Sequence, residues 1–155
     1  MMQTIYMKIP VIGNIIIYSE VSMFTRTFSS LINHNVNITQ SMEVLSKISN
    51  NEIYKEIIER TVRTLEKGGK ISESFRGNWA FPIVAYEMLV TGESTGQLGL
   101  MMEKVAEHYD NLHQTSIAAI KSLIEPITII ILAFGVGFIL LSMFIPMFGA
   151  YNTVS

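Results

Sequence analysis

"TGESTGQLG", Thr91–Gly99, packs three glycines, two threonines, a serine and one carboxylate into a single short stretch. Three readings compete for it: a phosphate-binding loop, which follows a strand, a catalytic turn, and a hinge between two helices. A P-loop has four residues between its two glycines, then Lys and Ser or Thr. Here three residues separate Gly92 from Gly96, and Gln97 stands where the lysine belongs. Without that lysine, nucleotide phosphates lose their main charge partner. No strand-like alternation precedes the stretch either. The helix–turn–helix reading therefore decides the fold. Under it, Gly92 ends the first helix in left-handed geometry and Gly96 supplies a second unusual backbone angle. Ser94 or Thr95 caps the next helix. Glu93 has three roles open to it: accepting backbone N–H bonds at a helix start, pairing with a Lys or Arg, or serving as a handle for a partner. Turn chemistry is the preferred one.

The segments around the turn agree. Val21, Phe24, Phe28, Leu31 and Ile32 share one face of a helix over 20–34, which "NHNVN" ends. A helix over about 39–49 places Met42, Leu45 and Ile48 on one side. A third, over 52–67, carries Ile53, Ile57, Thr61 and Leu65, and Gly68-Gly69 stops it. Ser72 can cap a short helix through Phe75. Pro82 suits the first turn of the next helix, with Ile83, Tyr86, Leu89 and Val90 inward. After the turn, a sixth helix opens near Gln97, lined by Leu98, Met102, Val105, Tyr109 and Leu112. No stretch alternates as a strand does.

Enzyme readings find little support. "EKVAEHYDNLH" holds Glu103, Glu107, His108, Asp110 and His113. Its two histidines are five apart, so they diverge by about 140° on a helix. The zinc-protease pair needs a spacing of four. Glu103 and Glu107 share a face and suit a hard cation, but a solvated helix face is the preferred reading. His34 stands alone in a turn. There is no glycine-flanked nucleophilic serine. Catalytic, cofactor-binding and metal residues are therefore expected to be none.

Composition separates two pieces. Charged residues are only 15% of the chain, against about a quarter in typical soluble domains. All 11 Lys and Arg and all 13 Asp and Glu lie at or before Glu125. The net charge of −2 offers no footprint for nucleic acid. There are no cysteines, hence no disulfides or thiolate metal sites. "KIPVIGNIIIYSE" is broken by Pro10 and Gly13-Asn14 and is followed by no small-residue cleavage site, so it does not read as a signal peptide.

"ITIIILAFGVGFILLSMFIPMF", Ile127–Phe148, is different. As a helix it measures about 33 Å, against a hydrocarbon core of about 30 Å. Its polar side chains, Thr128 and Ser142, can bond back to their own helix. It reads as a membrane span, bracketed by Pro126 and Pro146, with Pro126 starting the helix or kinking a longer one. "GVG", Gly135–Gly137, hints at helix–helix contact. Lys104 and Lys121 precede the span and no positive charge follows it. The N-terminal domain is thus expected in the cytoplasm. The expected organisation is all-α: a lead-in segment at 1–19, a cytoplasmic six-helix bundle at 20–125, a transmembrane helix at 126–148 and a short extracytoplasmic tail at 149–155.

The order "FTRTFSSLINHNVNITQSMEVL", "EKGGKISESF", "FP", "GESTGQL", "EP" before the span and then "IPMF" resembles the F-protein family of type II secretion systems and type IV pilus machines. The resemblance implies a six-helix cytoplasmic bundle on an inner-membrane platform with no chemistry of its own. It implies coupling of a hexameric ATPase to the assembly or extraction of pilin or pseudopilin subunits. Further implied partners are other inner-membrane assembly proteins, the lipid bilayer, and a second copy or another F-type bundle. Residues carried over are Gly92, Glu93, Gly96 and Leu98 in the turn, with Glu125 and Pro126 at the membrane entry, as fold and coupling positions. Family members usually have two bundles and three spans. This chain resembles the C-terminal half, as a truncated product, a fragment or a split protein. The alternative function is a membrane-anchored adaptor or regulator that binds a cytoplasmic partner without coupling force.

Overall fold

The computed structural model describes Ile5 and residues 7–154. Among them there is no strand. The helices are α1 (Pro10–Asn33), α2 (Ile38–Ile48), α3 (Glu52–Glu66), α4 (Ile71–Phe75), α5 (Ile83–Thr95) and α6 (Leu98–Val154). The chain divides into two compact units, Met1–Thr115 and Ser116–Ser155.

α1 begins at Pro10 rather than near residue 20. Proline suits a first turn because its φ is preset and its missing N–H has no partner there anyway. Gly13, which reads as an interruption, is a close contact instead. A Cβ built on it would run into the carbonyl of Met7. So 10–19, expected as a lead-in, is the first part of α1. Residues 1–4 and 6 of that expected lead-in, and 155 of the expected tail, lie outside the described residues.

Asparagines punctuate the next turns as their chemistry predicts. Asn35 takes a φ of 62° after α1. Asn37 accepts from the Thr39 N–H at 2.9 Å to open α2. Asn51 accepts from Ile53 at 3.0 Å and Tyr54 at 3.3 Å to open α3. Its amide also donates to the Met7 sulfur at 3.4 Å.

The core of the first unit is aromatic. Phe24 lies 5.3 Å from Phe75 and 6.2 Å, edge-on, from Phe81, and Phe75 and Phe81 are 4.6 Å apart. Offset and edge geometries of this kind add to plain area burial. Tyr54 is buried beside Phe24, and its hydroxyl donates to the Ala80 carbonyl at 2.6 Å. That bond ties α3 to the loop before α5. Around this cluster lie Val21, Phe28, Met42, Leu45, Ile57, Leu89, Leu98, Met102, Val105 and Tyr109.

Several expected core positions differ. Ile48 is exposed because α2 ends there. Ile83 is 70% exposed, and Val90 is only half-buried. α5 instead turns Ala85, Leu89 and Gly92 inward, one stripe spaced by four and three.

The second unit is a helical segment with no charge beyond Glu125. From Leu123 onward its large apolar side chains are exposed. Thr128 and Ser142 donate to the carbonyls of Ile124 and Phe138 at 2.8 and 2.9 Å, so both hydroxyls are satisfied within the helix. Pro126 does not start this helix. Both Pro126 and Pro146 lie inside α6, each removing one donor from its ladder. The helix also continues through the expected tail as far as Val154.

Candidate functional site

The Thr91–Gly99 turn uses its three glycines for three different reasons. Gly92 is not a left-handed cap. It is a buried residue of α5, and a Cβ there would sit 2.9 Å from the Leu98 Cα and 3.1 Å from the Met101 Cβ. Its missing side chain lets α6 start against α5. Gly96 is the left-handed residue, with φ 71°. The N–H groups of Gly96 and Gln97 both donate to the Gly92 carbonyl, which closes α5. At Gly99, an added Cβ would overlap the Asn33 side-chain oxygen, so this glycine lets α6 pass the end of α1. Leu98 enters the core.

Ser94 and Thr95 do not cap α6. Their hydroxyls donate back to Val90 and Thr91 in their own helix, at 3.0 and 2.7 Å. Ser72 does not cap α4 either. That helix starts at Ile71 and has no side-chain cap from Lys70.

The cap of α4 comes from Glu93. Its Oε1 accepts from the Ile71 N–H at 2.9 Å and its Oε2 from the Ser72 N–H at 3.3 Å. One carboxylate thus satisfies two donors at a helix start, where negative charge is favoured. Of the roles open to Glu93, the structure selects the backbone one, at a helix preceding its own in the chain. The consequence reaches the core. α4 carries Phe75, so Glu93 holds the helix that delivers Phe75 to Phe24 and Phe81.

Gly92, Glu93, Gly96 and Leu98 therefore form one local constellation in the first unit. Glu125 and Pro126 belong to the second unit, exposed on α6.

The acidic stretch on α6 is solvated as expected. Glu103, Glu107 and His108 are exposed, and Asp110 pairs with Arg26 at 3.2 Å. Glu103 and Glu107 line a polar groove of about 340 Å³ with Arg26, Asn33 and His34. The His34 ring and the Ser30 carbonyl are 2.6 Å apart. Among the described residues no three His, Asp or Glu side chains gather as metal ligands would.

Glu20 carries no signal in the sequence. It is half-buried on α1, and its Oε2 is fully enclosed without a hydrogen-bond partner. Burial raises its carboxyl above the ordinary carboxylate range. Burial, followed by the Glu20 charge, raises the neighbouring Tyr54 phenol as well.

These features define a class: a small helical domain whose last helix continues into a stretch long and apolar enough to cross a membrane. The chain belongs to the type II secretion system protein F family, whose sequence profile matches residues 24–146. It is 31% identical over 150 residues to a type IV pilus assembly protein PilC of Thermus thermophilus, covering 96% of this chain and 37% of the relative. To the PilC protein of Pseudomonas aeruginosa it is 27% identical, covering 96% and 40%. To a type II secretion system protein F of Aeromonas hydrophila it is 24% identical, covering 97% and 39%. The chain thus spans about two fifths of the length of these curated relatives.

Proposed function

We propose that this chain serves as an inner-membrane platform component of a type II secretion or type IV pilus assembly machine. In this reading it couples a cytoplasmic ATPase to the assembly of pilin-like subunits. The bundle sits in the cytoplasm, residues 126–148 cross the membrane once, and the work is mechanical and without catalysis. The observation that carries the proposal is the composition of α6. One helix contains both core residues of the bundle, Leu98 to Tyr109, and the uncharged apolar stretch after Glu125. Family membership supports the choice of machine.

Glu93 and Glu125 take different parts. Glu93 maintains the bundle by holding α4. Glu125 is the last charge before the apolar stretch, where a carboxylate is costly to bury and useful as a contact point. The test is pilus or secretion output in cells carrying Glu125→Ala, with membrane insertion measured in parallel. Reduced output with normal insertion supports coupling through this position. Wild-type output refutes it.

A further inference from the structure

The two ends of the first unit differ in character. α1 and α6 run antiparallel. Gly99 meets Asn33, the Ser22 hydroxyl donates to the Ala106 carbonyl at 3.5 Å, and the rings of Tyr18 and Tyr109 lie 5.7 Å apart. α5 is also antiparallel to α6, with Gly92 against Leu98 and the backbone of Ala85 at Tyr109. The starts of α1 and α5 therefore share one end, the end from which the chain leaves towards Ser116. The opposite end gathers polar turns: Asn33–Asn35, Lys67–Lys70 and the Glu93 turn, with Glu93 bonded to Ile71.

The exit end is apolar where a water-facing surface should not be. Val11 is 62% exposed, Ile83 70% and Trp79 48%, and Ile9, Ile12 and Val84 are exposed beside them in sequence. Trp79 and Ile83 line one shallow groove, and the Lys8 ammonium stands 6.0 Å from the Trp79 ring centre. A tryptophan with a lysine on an apolar surface is the chemistry of a membrane–water interface, where an indole buries its ring and keeps its N–H wet. Several large apolar side chains exposed at one end of a bundle mark a contact site.

We infer that this end of the bundle rests on lipid, with Ile9, Val11, Ile12, Trp79, Ile83 and Val84 entering the headgroup layer. The occupant follows from the chain itself. Only residues 116–125 separate the end of this unit from the uncharged stretch, about 15 Å of helix. A bilayer that holds that stretch is therefore close to this unit along the chain, and interfacial helices bury their apolar faces about 5–10 Å deep. The inference rests on the reading of 126–148 as a span.

Trp79 is the chain's one tryptophan and reports on its own surroundings. The full chain is reconstituted in vesicles of phosphatidylcholine and phosphatidylglycerol. Retention in the vesicles after a carbonate wash tests the span. With the span inserted, quenching of Trp79 is compared between lipids brominated near the headgroup and aqueous acrylamide. The expected result is strong quenching by the brominated lipids and weak quenching by acrylamide. A Val11→Ser, Ile12→Ser double variant with unchanged helical circular dichroism should shift quenching towards acrylamide. If that variant does not fold, the single variant Ile83→Ser serves the same comparison. Inserted protein whose Trp79 is open to acrylamide and untouched by brominated lipid overturns the inference. So does shielding that ignores the lipid label and disappears when the protein is diluted with excess lipid, which assigns the surface to a second copy of the chain.

Discussion

The Oε1 of Glu93 lies 2.9 Å from the backbone nitrogen of Ile71, across a sequence separation of 22. The same carboxylate bonds the Ser72 N–H at 3.3 Å. Glu93 therefore holds a helix that it does not belong to. Replacing Glu93 with Ala removes an N-cap at a partly buried site and should lower stability by about 1–2 kcal/mol. Glu93→Gln keeps one acceptor and should lose less. Thermal melts of the full chain in detergent, followed by circular dichroism, give the ranking. Equal melting of wild type and Glu93→Ala would contradict the bracing role.

Gly92 and Gly96 should respond to alanine by different mechanisms. At Gly92 the new methyl meets backbone at 2.9 Å, and overpacking of this kind costs about 1–3 kcal/mol. At Gly96 there is open space, and the cost is the left-handed backbone, about 1–2 kcal/mol for an ordinary L-residue. Gly96→Asn should therefore recover stability relative to Gly96→Ala, while Gly92→Asn should be worse than Gly92→Ala. Denaturant titration of the four variants checks the pattern. Recovery by Asn at Gly92 would contradict it.

Tyr54→Phe keeps the ring beside Phe24 but leaves the Ala80 carbonyl without its donor. The expected loss is about 1–3 kcal/mol, the cost of an unpaired buried acceptor. A melting curve that matches wild type would show that the carbonyl finds another partner.

Glu20 predicts a pH dependence. Its carboxyl is raised in the folded state by burial, so the folded chain holds that proton more tightly than the unfolded one. The associated stability is full below the unfolded carboxylate range and is lost as pH rises through the raised folded value. Glu20→Gln removes the charge that burial opposes. It should raise the melting temperature at neutral pH, with a gain that shrinks on acidification. A gain independent of pH would assign the effect to something other than ionisation.

The helices were legible because their signals are local. Amphipathic spacing, the asparagine-rich "NHNVN" stop and the Gly68-Gly69 stop all act within a turn or two. The apolar stretch was legible because twenty or so uncharged residues leave few alternatives. The three glycines of the turn were legible as a turn, but not in their separate roles. Gly92 and Gly99 are needed by Leu98 and Asn33, which approach them only after folding. Glu93 was legible as a helix-start acceptor, yet its donors lie a whole hairpin away, and no periodicity connects 93 to 71. Ser72, Ser94 and Thr95 look like caps by residue type, but their competing bonds or the Glu93 carboxylate take that place. Glu20 lacks any signal, since enclosure of one oxygen depends on neighbours from other helices.

The most direct test of the platform reading is a pull-down of the tagged full chain from its own membranes, followed by mass spectrometry. The reading predicts that a secretion or pilus ATPase and pilin-like proteins are recovered with it, and that Glu125→Ala weakens their recovery. Recovery of neither, from protein that is well inserted in the membrane, would contradict the coupling mechanism.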